Sequence, residues 1–115
     1  MLDKPLVWLG SARRDIRTFP TVARRRSGFQ LRRVQHGLDP DDWKPMTSVG
    51  SGVREIRITT ELAHRVFYVA TFDEAVYVLH AFEKRTRKTP PQEMKLARDR
   101  YRALVKKRAD DAKKR

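Results

Sequence analysis

Three runs, Val53-Arg-Glu-Ile-Arg-Ile-Thr59, His64-Arg-Val-Phe-Tyr-Val-Ala-Thr71 and Ala75-Val-Tyr-Val-Leu-His-Ala-Phe-Glu83, decide how this chain folds. Each is short, rich in β-branched and aromatic residues and flanked by turn-prone positions, which predicts three successive strands. The connectors Thr60 to Ala63 and Phe72 to Glu74 are short enough for antiparallel hairpins, so the three form a meander. Strand alternation sends Ile56 and Ile58 to the core and Glu55 and Arg57 to an open face. In the second run Arg65 alternates with Phe67 and Val69, while Val66 and Tyr68 share the other side. The third run is apolar on both faces, so it sits inside the sheet, and periodicity leaves the direction of His80 open.

Upstream, Lys4-Pro-Leu-Val-Trp-Leu9 reads as a strand held to an edge or a strand start by Pro5. Ser11 is placed to cap a helix from Ala12 to about Thr18. A second helix is expected from about Pro20 to His36, with Ser27, Leu31, Val34 and Leu38 at helical spacing and Gly37 as its stop. Its other face is Arg24, Arg25, Arg26, Arg32 and Arg33, and Gly28 in its middle suggests close packing against a strand or the first helix. Leu38-Asp-Pro-Asp-Asp42 is turn chemistry, and Trp43 to Val49 is expected as a short strand interrupted by Pro45. Downstream, Thr89-Pro-Pro-Gln92 reads as a capping box with Thr89 as N-cap, Pro90 at the first helical position and Gln92 at the third. Met94, Ala97, Tyr101 and Leu104 then form one stripe along a helix that frays into a basic tail. The expected fold is α+β in the order β-α-α-β-β-β-β-α. An antiparallel sheet carries two N-terminal helices on one face, with a C-terminal helix after it and the other face left for function. The reading is one domain over residues 1–105 with a basic tail at 106–115.

Composition narrows the function. Of 115 residues, 27 are Lys or Arg and 14 are Asp or Glu, giving a formal charge of +13. Residues 1–83 carry a net +3 and residues 84–115 a net +10. A field of that sign attracts polyanions, nucleic acid first among them. The ordinary reading of residues 106–115 is a solvated tail that aids solubility. The chain has no Cys, which excludes disulfides, thiolate metal sites and a thiol nucleophile, and fits a reducing compartment. No apolar run approaches the roughly 20 residues of a membrane helix, and Met1 to Gly10 has no run of signal-peptide length, so a cytoplasmic protein is expected.

Several side chains could carry chemistry. Arg65 interrupts an otherwise apolar strand, which is costly unless it pairs or binds an anion. Pairing with Glu55 across the sheet is the ordinary explanation. A lone His such as His80 is more often a satisfied core residue than a catalyst. The loop Glu83-Lys-Arg-Thr-Arg-Lys88, beside Arg57 and Arg65, completes a basic pocket able to hold the charge of a phosphorane-like transition state. The sequence has no phosphate-binding Gly loop, no GxSxG and no HExxH, and His36, His64 and His80 are too dispersed for a metal set. What remains is metal-independent cleavage of RNA by its own 2′-OH, with no cofactor.

Together, Val53-Arg-Glu-Ile-Arg-Ile58, His64-Arg-Val-Phe-Tyr-Val-Ala70, Val78 to Pro90, the helix Glu93-Met-Lys-Leu-Ala-Arg98 and Leu31-Arg-Arg-Val-Gln35 resemble the phage-derived, HigB-like branch of the RelE/ParE toxin superfamily. The resemblance implies a small toxin that binds the ribosomal A site, cuts mRNA there without metal, and is neutralised by a helix-turn-helix antitoxin, touching DNA only through that complex. It assigns Arg65 and Lys84 to transition-state charge, Arg57 and Arg85 to backbone phosphates, and Glu55 or His80 to proton transfer, with Arg54, Arg87 and Lys88 as further RNA contacts. The chain departs from several relatives in lacking a C-terminal His-Tyr or Tyr. Three other readings compete: a ParE-like inhibitor of DNA gyrase, a non-catalytic nucleic-acid-binding module, and an interaction domain built on Trp8 and Trp43.

Overall fold

The computed structural model describes residues 3–114. Its elements are β1 (Leu6–Trp8), α1 (Ala12–Arg17), α2 (Thr21–Gln35), β2 (Trp43–Pro45), β3 (Val53–Thr59), β4 (Ala63–Val69), β5 (Val76–Lys84) and α3 (Pro91–Lys113). The five strands form one sheet in the order β1-β5-β4-β3-β2. All neighbours are antiparallel except β1 and β5, which run parallel. The expected α+β meander is present, and β3 has the predicted bounds.

One layer of core lies between α1, α2 and the sheet. Ala12, Ile16, Phe19, Ala23, Leu31 and Val34 pack on Ile56, Ile58, Val66, Tyr68, Val76 and Val78. The opposite face is only partly open, because α3 lies over β5 and packs Ala97 and Leu104 on Phe67, Val69, Leu79 and Phe82. Met94 and Tyr101 complete the stripe read from the sequence. The uncovered part of that face is therefore its β2–β3–β4 side.

A bulge settles the direction of β5. Phe67 pairs with His80 but Tyr68 pairs with Val78, so Leu79 is an extra residue in the strand. Val76 and Val78 face α1 and α2, whereas beyond the bulge His80, Phe82 and Lys84 take the face shared with Phe67 and Arg65. A strict alternation through β5 would have put His80 in the first core layer.

Several element ends differ from the sequence reading, each for a local reason. β2 stops at Pro45 rather than reaching Val49, because Val49 N–H turns back to the Met46 carbonyl (3.0 Å) and Val53 N–H to the Gly50 carbonyl (3.2 Å). Leu38 lies past the end of α2 and is exposed, since Gly37, at φ +83°, reverses the chain. α3 starts one residue later than the capping box implies. Pro91 forces Pro90 out of the helical region, to ψ 142°, so Pro90 is the N-cap and no side chain caps the helix.

The helix also continues to Lys113 instead of fraying after Leu104. Lys106–Asp110 (3.0 Å) and Lys107–Asp111 (3.5 Å) are i,i+4 ion pairs. Arg108 forks onto Glu74 (2.7 and 3.1 Å) and lies 3.7 Å over the Phe72 ring. That fork and the Tyr77 hydroxyl hold the Glu74 carboxyl down to about 2. Among the described residues no helix is long and apolar enough to cross a membrane.

Gly28 is not a packing glycine: a Cβ built there meets nothing within 4 Å, and its φ is not positive. Its cost of about 1 kcal/mol relative to Ala has no internal compensation. Gly28→Ala is therefore expected to stabilise the fold by about 0.5–1 kcal/mol and raise the thermal midpoint by a few degrees. A lowered midpoint in calorimetry would contradict the open position of residue 28.

Candidate active site

Cross-strand register builds the site. Lys44 of β2 stands opposite Glu55 of β3, Arg57 opposite Arg65 of β4, Arg65 opposite Phe82 of β5, and Ala63 opposite Lys84. Side chains of directly paired residues emerge on the same side of a sheet. Five charged groups, Lys44, Glu55, Arg57, Arg65 and Lys84, thus share the partly open face.

At its centre is Glu55, fully buried at 0% exposure. The sequence reading put it on the open face, and it is there, but beneath its cations rather than in solvent. Its Oε1 accepts a hydrogen bond from Arg57 Nε (3.2 Å) and pairs with Arg65 Nε at 3.6 Å and Lys44 Nζ at 3.9 Å. Three cations offset the desolvation of one carboxylate. Glu55 Oε2 and Arg65 Nε are buried without a hydrogen-bond partner among the described residues, the 3.6 Å from Arg65 Nε to Glu55 being a charge contact only. Arg65 is the most enclosed of the cations, and its Nη1 donates to the His64 carbonyl (3.0 Å). Lys84 lies in the next row of the same face. Burial lowers its pKa first, nearby Arg65 lowers it further, Glu55 opposes the shift, and Lys44 and Arg57 add to it. Four positive groups around one negative group leave a net local excess of three charges, suited to an anion that is itself multiply charged.

His80 is placed differently. It lies under α3, where its Nδ1 is 3.1 Å from Arg100 Nη1 and its Nε2 is 3.1 Å from Glu93 Oε2. A guanidinium only donates, so Nδ1 is the acceptor and Nε2–H donates to Glu93. That fixes the neutral Nε2–H tautomer, and burial lowers the pKa against the pull of Glu93. Arg100 also donates to the Leu79 carbonyl (3.0 Å) and to Ser11 Oγ (3.1 Å). Ser11, the N-cap of α1, does not cap with its side chain but donates to Asp15 Oδ2 (2.6 Å). Phe82 separates His80 from the cations, edge-on to Phe67 and stacked on the His80 ring, both with centroids 5.4 Å apart.

The remaining predicted RNA contacts divide. Arg54 is on the opposite face of the sheet, bonded to Asp39 (2.9 Å) and stacked 3.9 Å over Trp43. Arg85 pairs with Glu83. Arg87 and Lys88 are exposed in the loop between β5 and α3. The structure thus brings together Glu55, Arg57, Arg65 and Lys84 and separates His80 and Arg54 from them.

A family model described as phage derived protein Gp49-like (DUF891) matches residues 14–102, from α1 well into α3 and across every residue of the array. The chain belongs to this Gp49-like family. The family is toxin-like and related to the RelE/ParE-type toxins. No curated protein matches the chain significantly.

Two side chains of the Gp49-like protein that join these clusters escaped the sequence reading. Lys44 sits in a three-residue strand beside a proline, and only its register against Glu55 brings it to the array. Arg100 is seven residues from Glu93, two helical turns along one face, a spacing that would have flagged it as a second partner for a buried histidine. Among the described residues no group of three or more His, Cys, Asp or Glu side chains comes together.

Burial lowers the pKa of His64 as well as His80 below the ordinary value of 6.5. The unfolded chain then takes up these protons first, so the stability tied to the neutral rings is present above the ordinary value and lost as pH falls through it. Thermal midpoints measured from about pH 8 to about pH 5 should fall most steeply below the ordinary histidine value, with a shallower slope in His80→Gln. A pH-independent midpoint over that range would contradict the neutral assignment.

Proposed function

We propose that this protein is a HigB-like toxin that cuts mRNA in the ribosomal A site, using the 2′-OH of the RNA as nucleophile. The observation that carries the reading is the convergence of Lys44, Arg57 and Arg65 on the buried Glu55 carboxylate, with Lys84 beside them on an accessible face. In this chemistry the 2′-oxygen bonds to the adjacent phosphorus and the phosphorus–O5′ bond breaks. The products are a 2′,3′-cyclic phosphate and a 5′-hydroxyl. The pentacoordinate phosphorus carries one more negative charge than the ground state, and fixed cations stabilise that difference. Arg65, held rigidly between the Glu55 carboxylate and the His64 carbonyl, is the best-placed cation for it; Arg57 and Lys44 flank the phosphate.

Proton transfer is assigned to Lys84. Glu55 is held by three cations and both nitrogens of His80 are engaged, whereas the Lys84 ammonium stands beside Arg65 on the accessible face and donates a proton to the leaving 5′-oxygen. The 2′-OH proton is taken up by ribosomal RNA groups around the site. The work is done in the cytoplasm, where translating ribosomes are, and a helix-turn-helix antitoxin is the neutralising partner. The toxin-like family and the local charge excess both support this reading.

Cell-free translation of a reporter mRNA, with naked mRNA in EDTA as a parallel, tests it. Cuts mapped by primer extension should appear in frame and only on translated message. Arg65→Ala should lower the cutting rate about 100- to 1,000-fold, the usual loss for one transition-state donor, while keeping the fold. Arg65→Lys should recover only part of it, since the charge remains and the fork does not. Intact message with normal translation would sink the reading, and a DNA supercoiling assay would then ask about gyrase.

A further inference from the structure

Away from the array, the two N-terminal helices carry charge of one kind. Residues 12–34 contain eight arginines, no lysine and one acid, Asp15, a local net of +7. The rest of residues 1–83 holds five basic and nine acidic side chains, which hides this segregation in the modest +3 of the whole segment. Arg26 donates to the Thr59 carbonyl, Arg32 pairs with Asp3, and Arg33 reaches Asp39 and Asp41. Arg13, Arg14, Arg17, Arg24 and Arg25 are exposed, and none has an ion pair or side-chain hydrogen bond among the described residues.

The crest of α2 is unusual in a second way. Its buried line is Ala23, Ser27, Gln30, Leu31 and Val34, so helical geometry turns Arg25, Gly28, Phe29 and Arg32 outward. Phe29 is 60% exposed and Val22 55%. Gly28 lies between the crest cations with open space around it, although it weakens the helix. A bare backbone, an exposed aromatic ring and cations on either side serve nothing inside this molecule. They fit a second molecule that approaches closely and is negatively charged.

We propose that the outward face of α1 and α2 is a second RNA-binding surface, separate from the cutting face, that grips the sugar-phosphate backbone of duplex RNA. Arginine rather than lysine suits it, because the guanidinium fork matches phosphate oxygens in pairs and is weakly hydrated. Arg24 and Arg25 lie one turn before the Gly28 gap and contact phosphates there, while Arg32, on its far side, is tied to Asp3. Phe29 packs on sugars exposed in the wide, shallow minor groove of an RNA helix. The phosphate contacts stand on charge alone; that the duplex is RNA rests on the reading of the chain as a ribosome-directed toxin. Such a surface lets the toxin dock on structured RNA while its opposite face holds the message.

Fluorescence anisotropy with a short labelled RNA duplex, read without ribosomes over a salt series, tests the surface separately from cutting. The variants are Arg17→Gln/Arg24→Gln/Arg25→Gln, Gly28→Ala, Phe29→Ala and, as a comparison on α3, Lys106→Gln/Lys107→Gln. The triple variant should bind at least about tenfold more weakly, with a salt slope shallower by about 0.9 for each phosphate that is no longer neutralised. Gly28→Ala should weaken binding several-fold while raising the thermal midpoint, a pairing that damage to the fold cannot give. Unchanged affinity in the triple variant, or an equal loss from the α3 pair, overturns the proposal. Tighter binding to the matching DNA duplex or single strand than to the RNA duplex also overturns it. So does intact RNA affinity with loss of antitoxin binding only, which assigns the face to a protein. Failure of the wild-type protein to cut translated mRNA would sink the nuclease reading and leave the binding measurement standing.

Discussion

A single buried carboxylate organises the functional half of this fold. Glu55 has no exposed surface, and the groups that compensate it come from three adjacent strands: Lys44 from β2, Arg57 from β3 itself and Arg65 from β4. Without Glu55, two arginines and a lysine at this spacing would repel one another and splay into solvent. With it, they are drawn to one oxygen and held before any substrate arrives. The knot also explains why a short, proline-interrupted strand such as β2 stays on the sheet edge, since Lys44 tethers it where the ladder has only three paired residues. Stability and preorganisation thus come from the same contact. Its Oε2 and the Arg65 Nε, neither of them hydrogen-bonded among the described residues, mark where the knot is incomplete.

The bulge at Leu79 is the second constraint, and it acts on the neighbouring strand. By adding one residue to β5 it moves His80, Phe82 and Lys84 onto the face of Arg65, while Val76 and Val78 stay in the first core layer. Lys84 is then close enough to Arg65 to feel its charge. His80 goes under α3 and is sealed by Glu93 and Arg100, and through Arg100 and Ser11 the end of β5 is tied to the start of α1. Gly10 belongs to the same arrangement, because a Cβ there would collide with the Arg100 guanidinium. The histidine serves as a polar bolt between three elements, and the lysine beyond it is left to face the substrate side.

Alternation made much of this legible from the residues alone. Ile56 and Ile58 against Glu55 and Arg57, or Val66 and Tyr68 against Arg65 and Phe67, have only one arrangement that buries the apolar set, and the register follows. Glu55, Arg57 and Arg65 could be grouped on that basis, and Lys84 joined them only by its place at the end of the last strand. What was not legible depended on contacts between segments. A bulge leaves no mark in a strand that is apolar on both sides, so His80 had no readable direction. Lys44 has no local signature and acquires its place only by pairing with Glu55. The extra turns of α3 depend on Arg108 meeting Glu74 and Phe72, residues far away in sequence. The start of α3 was readable in principle, since Pro91 constrains Pro90 by sterics alone, but the capping-box pattern masked it.

The distribution of charge gives the molecule its shape of function. A net +13 on so small a chain works against compaction, because like charges repel across the whole surface. The fold limits that cost unevenly. On α3, lysines and arginines are interleaved with Asp99, Asp110 and Asp111 in ion pairs, and Glu74 takes Arg108, so much of the C-terminal excess is locally answered. On the open face of the sheet one carboxylate answers three cations, with Lys84 beside them. On α1 and α2 one acid stands among eight arginines, five of them unpaired among the described residues. Where repulsion is relieved, the charge is structural; where it is left standing on a rigid scaffold, it is available to a ligand. By that criterion α3 is chiefly a brace, and the two opposite faces of the sheet layer are the surfaces on which a polyanion gains most from binding.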